Sequence, residues 1–565
     1  MVSFRRFVVL FAAFVLGNGD GNDTEHNLND KRKIRDAFDE AQNLTWNPCY
    51  YNKIKFSCAK LIVPLDYADE SIGTAEIAFI KADGAPGSPD MLFNPGGPAA
   101  SGVDDLLNYY GRYREDFGIE NGYNIVAFDP RGVKTSTPDL SCPQPISLEI
   151  KGDFPTYEEY KVISLAQAKL CNTHHGEGGP GKARYAGTAA VAADMLHFIK
   201  KSAESQGQNP DEATLNYYGL SYGAQLGATF AAMYPDKINR MVVDGVPDLE
   251  SLYKGFELSK QSQADDILQF FFDTCAETSH CDFNNGPEDD SERIQERFME
   301  VLELTSKEDE FVRHSTRWHI YHALYSPERS FPEMAALLKK FAIEFGVFND
   351  SPNSTNKSLS KKENSQLSPR SDYVFVDDWI GPKMEHAFIM INCIDVNQRF
   401  KLETDEQWEA FYSAPGQSNF LPREMFQTGA QTCQMYDIQP PPSQNFTGFS
   451  PANKIQTSKR ILFGQNRYDP VTPGASKSRT LFDQSLLLKL PFSGHCMTPS
   501  ECSTSVLRRY WDQSKETNLA DLVDPKMEGN VVQDFDCTYE KLTNPFSGEE
   551  FPQNAKHIRN ERFWY

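Results

Sequence analysis

Short apolar runs, each ending on a glycine- or proline-rich turn, organise this chain. Thr74-Ala-Glu-Ile-Ala-Phe-Ile80 alternates apolar and polar positions, as a half-buried strand does. Met91-Leu-Phe93 runs into Asn94-Pro-Gly-Gly-Pro98, and Asn124-Ile-Val-Ala-Phe128 into Asp129-Pro-Arg-Gly132. Ala213-Thr-Leu-Asn-Tyr-Tyr218 runs into Gly219-Leu-Ser-Tyr-Gly223, and Met241-Val-Val243 into Asp244-Gly-Val-Pro247. Helical periodicity appears between the later runs, over Ala189 to Lys201 and Gly223 to Tyr234. Strand, tight turn and helix in repetition predict an α/β fold, a mostly parallel, doubly wound sheet with helices on both faces.

From about Leu249 to Asn453 the pattern turns helical: Asp265 to Phe272, Ser291 to Leu304, Pro332 to Phe345. The low-complexity stretch Asn349 to Asn364 reads as a polar surface loop. Strand patterning resumes at Arg460-Ile-Leu-Phe463 and Leu486-Leu-Leu-Lys-Leu490. The predicted organisation is a core over 20–248 and 454–565, interrupted by an inserted helical cap over 249–453 before the last two strands. No internal repeat is visible.

The N-terminus changes the picture of where such a chain would work. Arg5 and Arg6 precede the run Phe7 to Leu16, and Gly17 and Gly19 precede a polar stretch, the layout of a secretory signal over 1–19. That run is too short to span a bilayer, which takes about 20 residues, and the C-terminal Asn560 to Tyr565 carries neither an apolar anchor nor a retention signal. The expectation is a secreted, extracellular chain outside the membrane. Sequons at Asn22, Asn43, Asn349, Asn353, Asn356 and Asn445 are candidate glycosylation sites. Lys31-Arg32 is either a dibasic processing site or a solvated helix start.

The 565 residues carry 56 Lys+Arg against 79 Asp+Glu, a net charge of −23, with 39% hydrophobic and 12% aromatic residues. That composition excludes a disordered chain. The charge argues against nucleic acid and anionic lipid as partners. In an oxidising compartment the 11 cysteines should mostly pair. Spacing favours Cys49 with Cys58, Cys275 with Cys281, Cys142 with Cys171 and Cys393 with Cys433, and leaves one of Cys496, Cys502 and Cys537 odd.

Candidate chemistry begins at Gly219-Leu-Ser-Tyr-Gly223. A G-x-S-x-G pattern between a strand and an Ala-rich helix is what a nucleophile elbow needs, because the glycines allow the sharp turn that presents the Ser221 hydroxyl. A serine needs a base, and the base needs an orienter. Asp469, in Gly464-Gln-Asn-Arg-Tyr-Asp469-Pro-Val-Thr-Pro473, follows one strand, and His495, in Gly494-His495-Cys496, follows the next. Acyl transfer also needs oxyanion donors, and the backbone N–H groups of Gly97 and Tyr222 are the candidates.

As an ordered set these pieces resemble secreted α/β-hydrolases of the tripeptidyl aminopeptidase and prolyl aminopeptidase kind, serine peptidases of the S33 type with the family's C-terminal region. The matching segments are Cys58-Ala-Lys-Leu-Ile-Val-Pro-Leu-Asp-Tyr67, Asn94 to Pro98, Asp129-Pro-Arg-Gly-Val133, Gly219 to Gly223, Asp244 to Pro247, Asp469 to Pro473 and Gly494-His495, spread over Cys49 to Cys537. The resemblance implies Ser221 as nucleophile, His495 as base, Asp469 as orienter and Gly97 with Tyr222 as oxyanion donors, with no cofactor and no metal. Relatives often lack a cysteine after the histidine, which implies Cys502 paired with Cys537 and Cys496 as the odd thiol. The chain departs from the family at Ala99 and Ala100, and at Lys134, where glycine is usual.

Two other signals carry less. Gly176-Glu-Gly-Gly-Pro-Gly181-Lys182 is close to a phosphate loop, but Ala183 stands where Ser or Thr is required and a helical pattern precedes it. His174-His175 beside Cys171 lacks further ligands at metal spacing. Glu385 and Asp395 are candidate carboxylates for a substrate α-ammonium, set against a reading as ordinary surface acids. The expected function is a monomeric serine exopeptidase releasing tripeptides or single residues from peptide N-termini. A carboxylesterase or lactonase acting on small esters is the second expectation, and an inactive hydrolase-fold binding protein the third.

Overall fold

The computed structural model describes residues 44–548 apart from 121, 144–156, 256–261, 309, 349–381, 405, 408–417, 419, 421–432, 515–533 and 538–541, together with 34, 37 and 38. The N-terminal signal-like stretch, Lys31-Arg32, the 349–364 stretch and the sequons at Asn22, Asn43, Asn349, Asn353 and Asn356 lie outside these residues. Asn445 is described: it is exposed, and its side-chain oxygen accepts from Asn397 and Arg399.

One ten-stranded sheet carries the molecule, ordered β1-β2-β3-β5-β4-β6-β7-β8-β9-β10. Its strands are β1 (Asn47–Tyr51), β2 (Ile54–Pro64), β3 (Thr74–Ala82), β4 (Asp90–Asn94), β5 (Asn124–Phe128), β6 (Leu215–Leu220), β7 (Ile238–Asp244), β8 (Ile461–Tyr468), β9 (Leu486–Ser493) and β10 (Asp534–Asp536). The first three strands and the β3–β5 pair are antiparallel, and every pair from β5 through β10 is parallel.

The central positions of the parallel strands are mostly apolar because both sheet faces are covered. Successive side chains feed opposite cores: Leu92, Tyr217, Val243 and Phe463 pack on one face, and Phe93, Tyr218, Val242 and Leu462 on the other. Helices α3 (Thr188–Ser205) and α4 (Tyr222–Met233) cover the first face; α1 (Gly102–Asp116) and α11 (Glu501–Trp511) cover the second. Helix α2 (Tyr157–His175) precedes α3, and the short α5 (Leu249–Tyr253) follows β7.

Two expectations about the sheet need correction. A third strand, β10, follows β9, so three strands and not two lie beyond the helical segment. That segment is also not one body. Helices α6 (Ser262–Ala276), α7 (Ser291–Thr305), α8 (Glu310–Ala323) and α9 (Pro327–Glu344) build a core of their own around Phe271, Phe272, Phe298, Phe331 and Leu338. Helix α10 (Pro382–Val396) instead buries Ala387, Met390, Ile391 and Ile394 in the main core.

Five disulfides join Cys49–Cys58, Cys142–Cys171, Cys275–Cys281, Cys393–Cys433 and Cys502–Cys537, and Cys496 is free. Cys171 is therefore spent in a disulfide. His175 is spent in hydrogen bonds, with one ring nitrogen 3.1 Å from the Ser141 carbonyl and the other accepting from Ala183 N–H.

Candidate active site

Three parallel strands, β6, β7 and β8, with β9 beside them, bring the candidate chemistry to their C-terminal ends, where a doubly wound sheet opens its crevice. β6 passes through Gly219 and Leu220 into Ser221, which caps α4 with φ 56° and ψ −119°. Few residues with a Cβ hold this left-handed backbone, and here packing enforces it. A Cβ on Gly219 would sit 2.3 Å from the Gly223 carbonyl, and one on Gly223 would sit 2.4 Å from the Asn94 carbonyl. Both glycines of the motif are thus required by close approach. Ser221 N–H donates to the Asp244 carbonyl at 2.8 Å, which ties the elbow to the end of β7. Only 6% of Ser221 is exposed.

The loop after β4 lies against this elbow. A Cβ on Gly96 (φ 109°) would meet the Leu220 carbonyl at 2.7 Å, Ser221 Cβ at 2.9 Å and Tyr222 N at 3.3 Å. Gly96 N–H is taken by the Asn94 side-chain oxygen at 3.0 Å, which leaves Gly97 (φ 107°) as the next donor along the loop. The strand-to-helix turn that follows is capped by Ser101, whose hydroxyl accepts from Asp104 N–H and donates to Asp129 at 2.6 Å.

Asp469 and His495 are brought together. The imidazole Nδ1 lies 3.1 Å from each oxygen of the Asp469 carboxylate, and both side chains are almost fully enclosed. Four donors hold that carboxylate in place: Val471 N–H and Thr472 N–H at 2.8 Å, the Thr472 hydroxyl at 2.9 Å and Cys496 N–H at 3.2 Å. Burial works to raise the Asp469 carboxyl. The charge and hydrogen bond of His495, with those N–H donors, outweigh it and hold the group below its ordinary value. With Nδ1 committed to the carboxylate, Nε2 is the ring nitrogen left over; it is buried and makes no hydrogen bond among the described residues.

The helical segment reaches this pair directly. His495 N–H donates to the Tyr325 carbonyl at 2.8 Å, just before α9, and the Tyr325 ring meets the imidazole edge-on at 5.4 Å. Gln263 of α6 accepts from Asp469 N–H at 2.7 Å.

Thr472 and Asp244 belong to the same cluster and carried no sequence signal beyond their motifs. The Thr472 hydroxyl sits 3.1 Å from His495 Nδ1 as well as on Asp469. Asp244 is 2% exposed and holds Met497 N–H at 2.7 Å. Cys496 lies beside them, its thiol 3.9 Å from the Asp244 carbonyl and pushed well above its usual value by burial.

The candidate substrate acids fall elsewhere. Asp395 on α10 accepts from Thr188 N–H at 2.8 Å, from the Thr188 hydroxyl at 2.5 Å and from Gln225 at 3.1 Å. It is neither an ordinary surface acid nor an open ammonium site, because its oxygens already bind α10 to α3 and α4. Glu385 lies on α10 as well, and its side chain is outside the described residues. The Tyr222 hydroxyl turns to the same network, 2.7 Å from Thr188 Oγ1, so of Tyr222 it is the backbone N–H that stands at the elbow.

A family model described as the alpha/beta hydrolase fold matches residues 89–283. The chain is 26% identical over 261 residues to serine protease Hip1 of Mycobacterium tuberculosis, covering 44% of this chain and 48% of that one. It is 29% identical over 218 residues to tripeptidyl aminopeptidase of Streptomyces lividans, covering 36% and 38%. The match to putative hydrolase YuaR of Escherichia coli is longer, 22% identical over 477 residues, with 79% and 86% covered. The chain thus spans about half the length of the first of these curated relatives. Strand order, elbow and matched segment agree on an alpha/beta hydrolase fold.

Proposed function

We propose that this chain is a secreted serine hydrolase of the exopeptidase kind, releasing tripeptides or single residues from peptide N-termini. Ser221 attacks the scissile carbonyl, His495 Nε2 takes its proton and returns it to the leaving amine, and Asp469 fixes the imidazole tautomer. The N–H groups of Gly97 and Tyr222 receive the developing oxyanion. The observation that carries this reading is the shared anchor of the two loops: Ser221 N–H and Met497 N–H both donate to Asp244, one to its carbonyl and one to its carboxylate. The relatives named serine protease and tripeptidyl aminopeptidase favour peptide substrates. In this reading the helices between β7 and β8 restrict access to short or unfolded chain ends. The signal-like N-terminus and five disulfides favour secretion.

A panel of aminoacyl-, dipeptidyl- and tripeptidyl-anilides, with N-blocked counterparts and simple esters, tests it. The expected result is turnover of free-amine anilides, abolished by N-blocking and by Ser221→Ala. Turnover of esters alone replaces the peptidase with a carboxylesterase. Wild type equal to Ser221→Ala on every substrate leaves a binding protein.

A further inference from the structure

The mechanism above uses one carboxylate, yet a second lies enclosed beside it. Asp244 ends β7, between the strand that carries the nucleophile and the strand that carries Asp469. Its backbone carbonyl takes Ser221 N–H at 2.8 Å, and its Oδ1 takes Met497 N–H at 2.7 Å, two residues beyond His495. Its Oδ2 takes the Tyr218 hydroxyl at 3.3 Å. The next residue, Gly245 (φ 63°), is packed so closely that a Cβ would lie 2.5 Å from Cys496 Sγ and 3.3 Å from His495 Cε1.

We infer that Asp244 is a positioning residue for catalysis, a second carboxylate that holds the histidine loop in register with the serine elbow and places a titratable negative charge beside the imidazole. The inference rests on the serine-hydrolase reading of the site. Enclosure alone would keep the group neutral. Burial, with the Asp469 charge, raises the carboxyl, Met497 N–H, His495 and Tyr218 pull it down, and the balance stands at about 7. Cys496 on the histidine loop also faces it, and Asp116 of α1 acts on Tyr218 behind it. Asp244 also borders a cleft of about 220 Å³ shared with His495, Arg112, Asp116, Glu328 and Arg329, which gives it a route for proton exchange with solvent.

The sign follows from the charge. An ionised Asp244 stabilises the imidazolium of His495, so it moves the acid limb of kcat/KM to higher pH; removing the charge moves that limb to lower pH. Three variants separate the roles. Asp244→Asn keeps an acceptor for Met497 N–H and loses the charge: kcat falls about tenfold or more, KM changes little, and the acid limb shifts to lower pH. Asp244→Glu keeps the charge on a longer arm: kcat falls while the limb stays. Tyr218→Phe removes a donor to Oδ2, keeps Asp244 neutral to higher pH, and shifts the limb in the Asn direction by less; it carries the test if Asp244→Asn does not fold. Rates are normalised to sites labelled by a fluorophosphonate. An Asn variant with wild-type kcat and limb overturns the inference, as does a loss of kcat with the limb unmoved in both Asn and Phe variants. Failure of the underlying reading looks different, since wild type would then match Ser221→Ala.

Discussion

At Ala99 and Lys134 the backbone is left-handed, with φ 77° and 41°. These are two of the positions where the chain departs from the glycine usual in the proteins it resembles, and the structure keeps the glycine-like backbone while bearing a Cβ. Each residue holds a conformation that costs a non-glycine residue about 1 kcal/mol. Ala99→Gly and Lys134→Gly are therefore expected to stabilise the fold or leave it unchanged, by denaturant titration; a loss above about 1 kcal/mol in either would sink the strain argument. Gly96→Ala should do the reverse to function: its Cβ would press on Ser221 and Tyr222 N, so kcat should fall about 100-fold with folding retained. Ser221, Asp469 and His495 were legible as candidates in the sequence because each follows a strand on a turn marked by Gly or Pro. Thr472 was not, since a hydroxyl in a Thr-Pro turn carries no period. The anchoring of Asp395 was not legible, because its partners, Thr188 and Gln225, lie far away along the chain.

Whole elements were legible where both sheet faces are covered, since β4 to β9 each then hold a short apolar run, such as Met91 to Phe93 or Met241 to Val243. The outer strands gave weaker signals. β2 mixes lysines and a serine among its apolar positions, because it lies toward the edge and pairs with β1 and β3 only. β10 offers Asp534-Phe-Asp536, a single apolar residue, and is held by pairing to β9 and by the Cys502–Cys537 bridge from α11. That bridge closes a segment of sequence separation 35. Replacing both cysteines by serine is expected to lower stability by about 2–4 kcal/mol, read from the shift of the unfolding midpoint. An unchanged midpoint would mean that β10 docks without it.

Across the whole molecule, stability should depend on pH through carboxyls enclosed in the fold. Asp105, Asp129 and Asp244 are raised by burial to about 7, 6 and 7. The folded chain therefore keeps protons that the unfolded chain has already released above about pH 4, and stability falls as pH rises toward 7. The net charge of −23 adds repulsion in the same direction. Asp469 runs opposite: its carboxyl is held low, so its contribution is lost only as pH drops through the acid range. Buried His322 and His386, pushed down to about 3 and 4, also oppose the enclosed carboxyls. The test is therefore a difference: Asp105→Asn should lessen the fall in unfolding temperature from about pH 5.5 to about pH 8, and an unchanged slope would contradict the assignment.

The neighbours β7 and β8 are separated in the chain by all of residues 245–460. During synthesis the serine elbow is finished long before any ribosome reaches Asp469 or His495. Until then β7 is an open sheet edge with an apolar face on each side, and Ser221, the proposed nucleophile, stands without its proposed base. On the proposed reading, a chain stopped at residue 453 holds Ser221 without His495 and should be both inert and prone to aggregate.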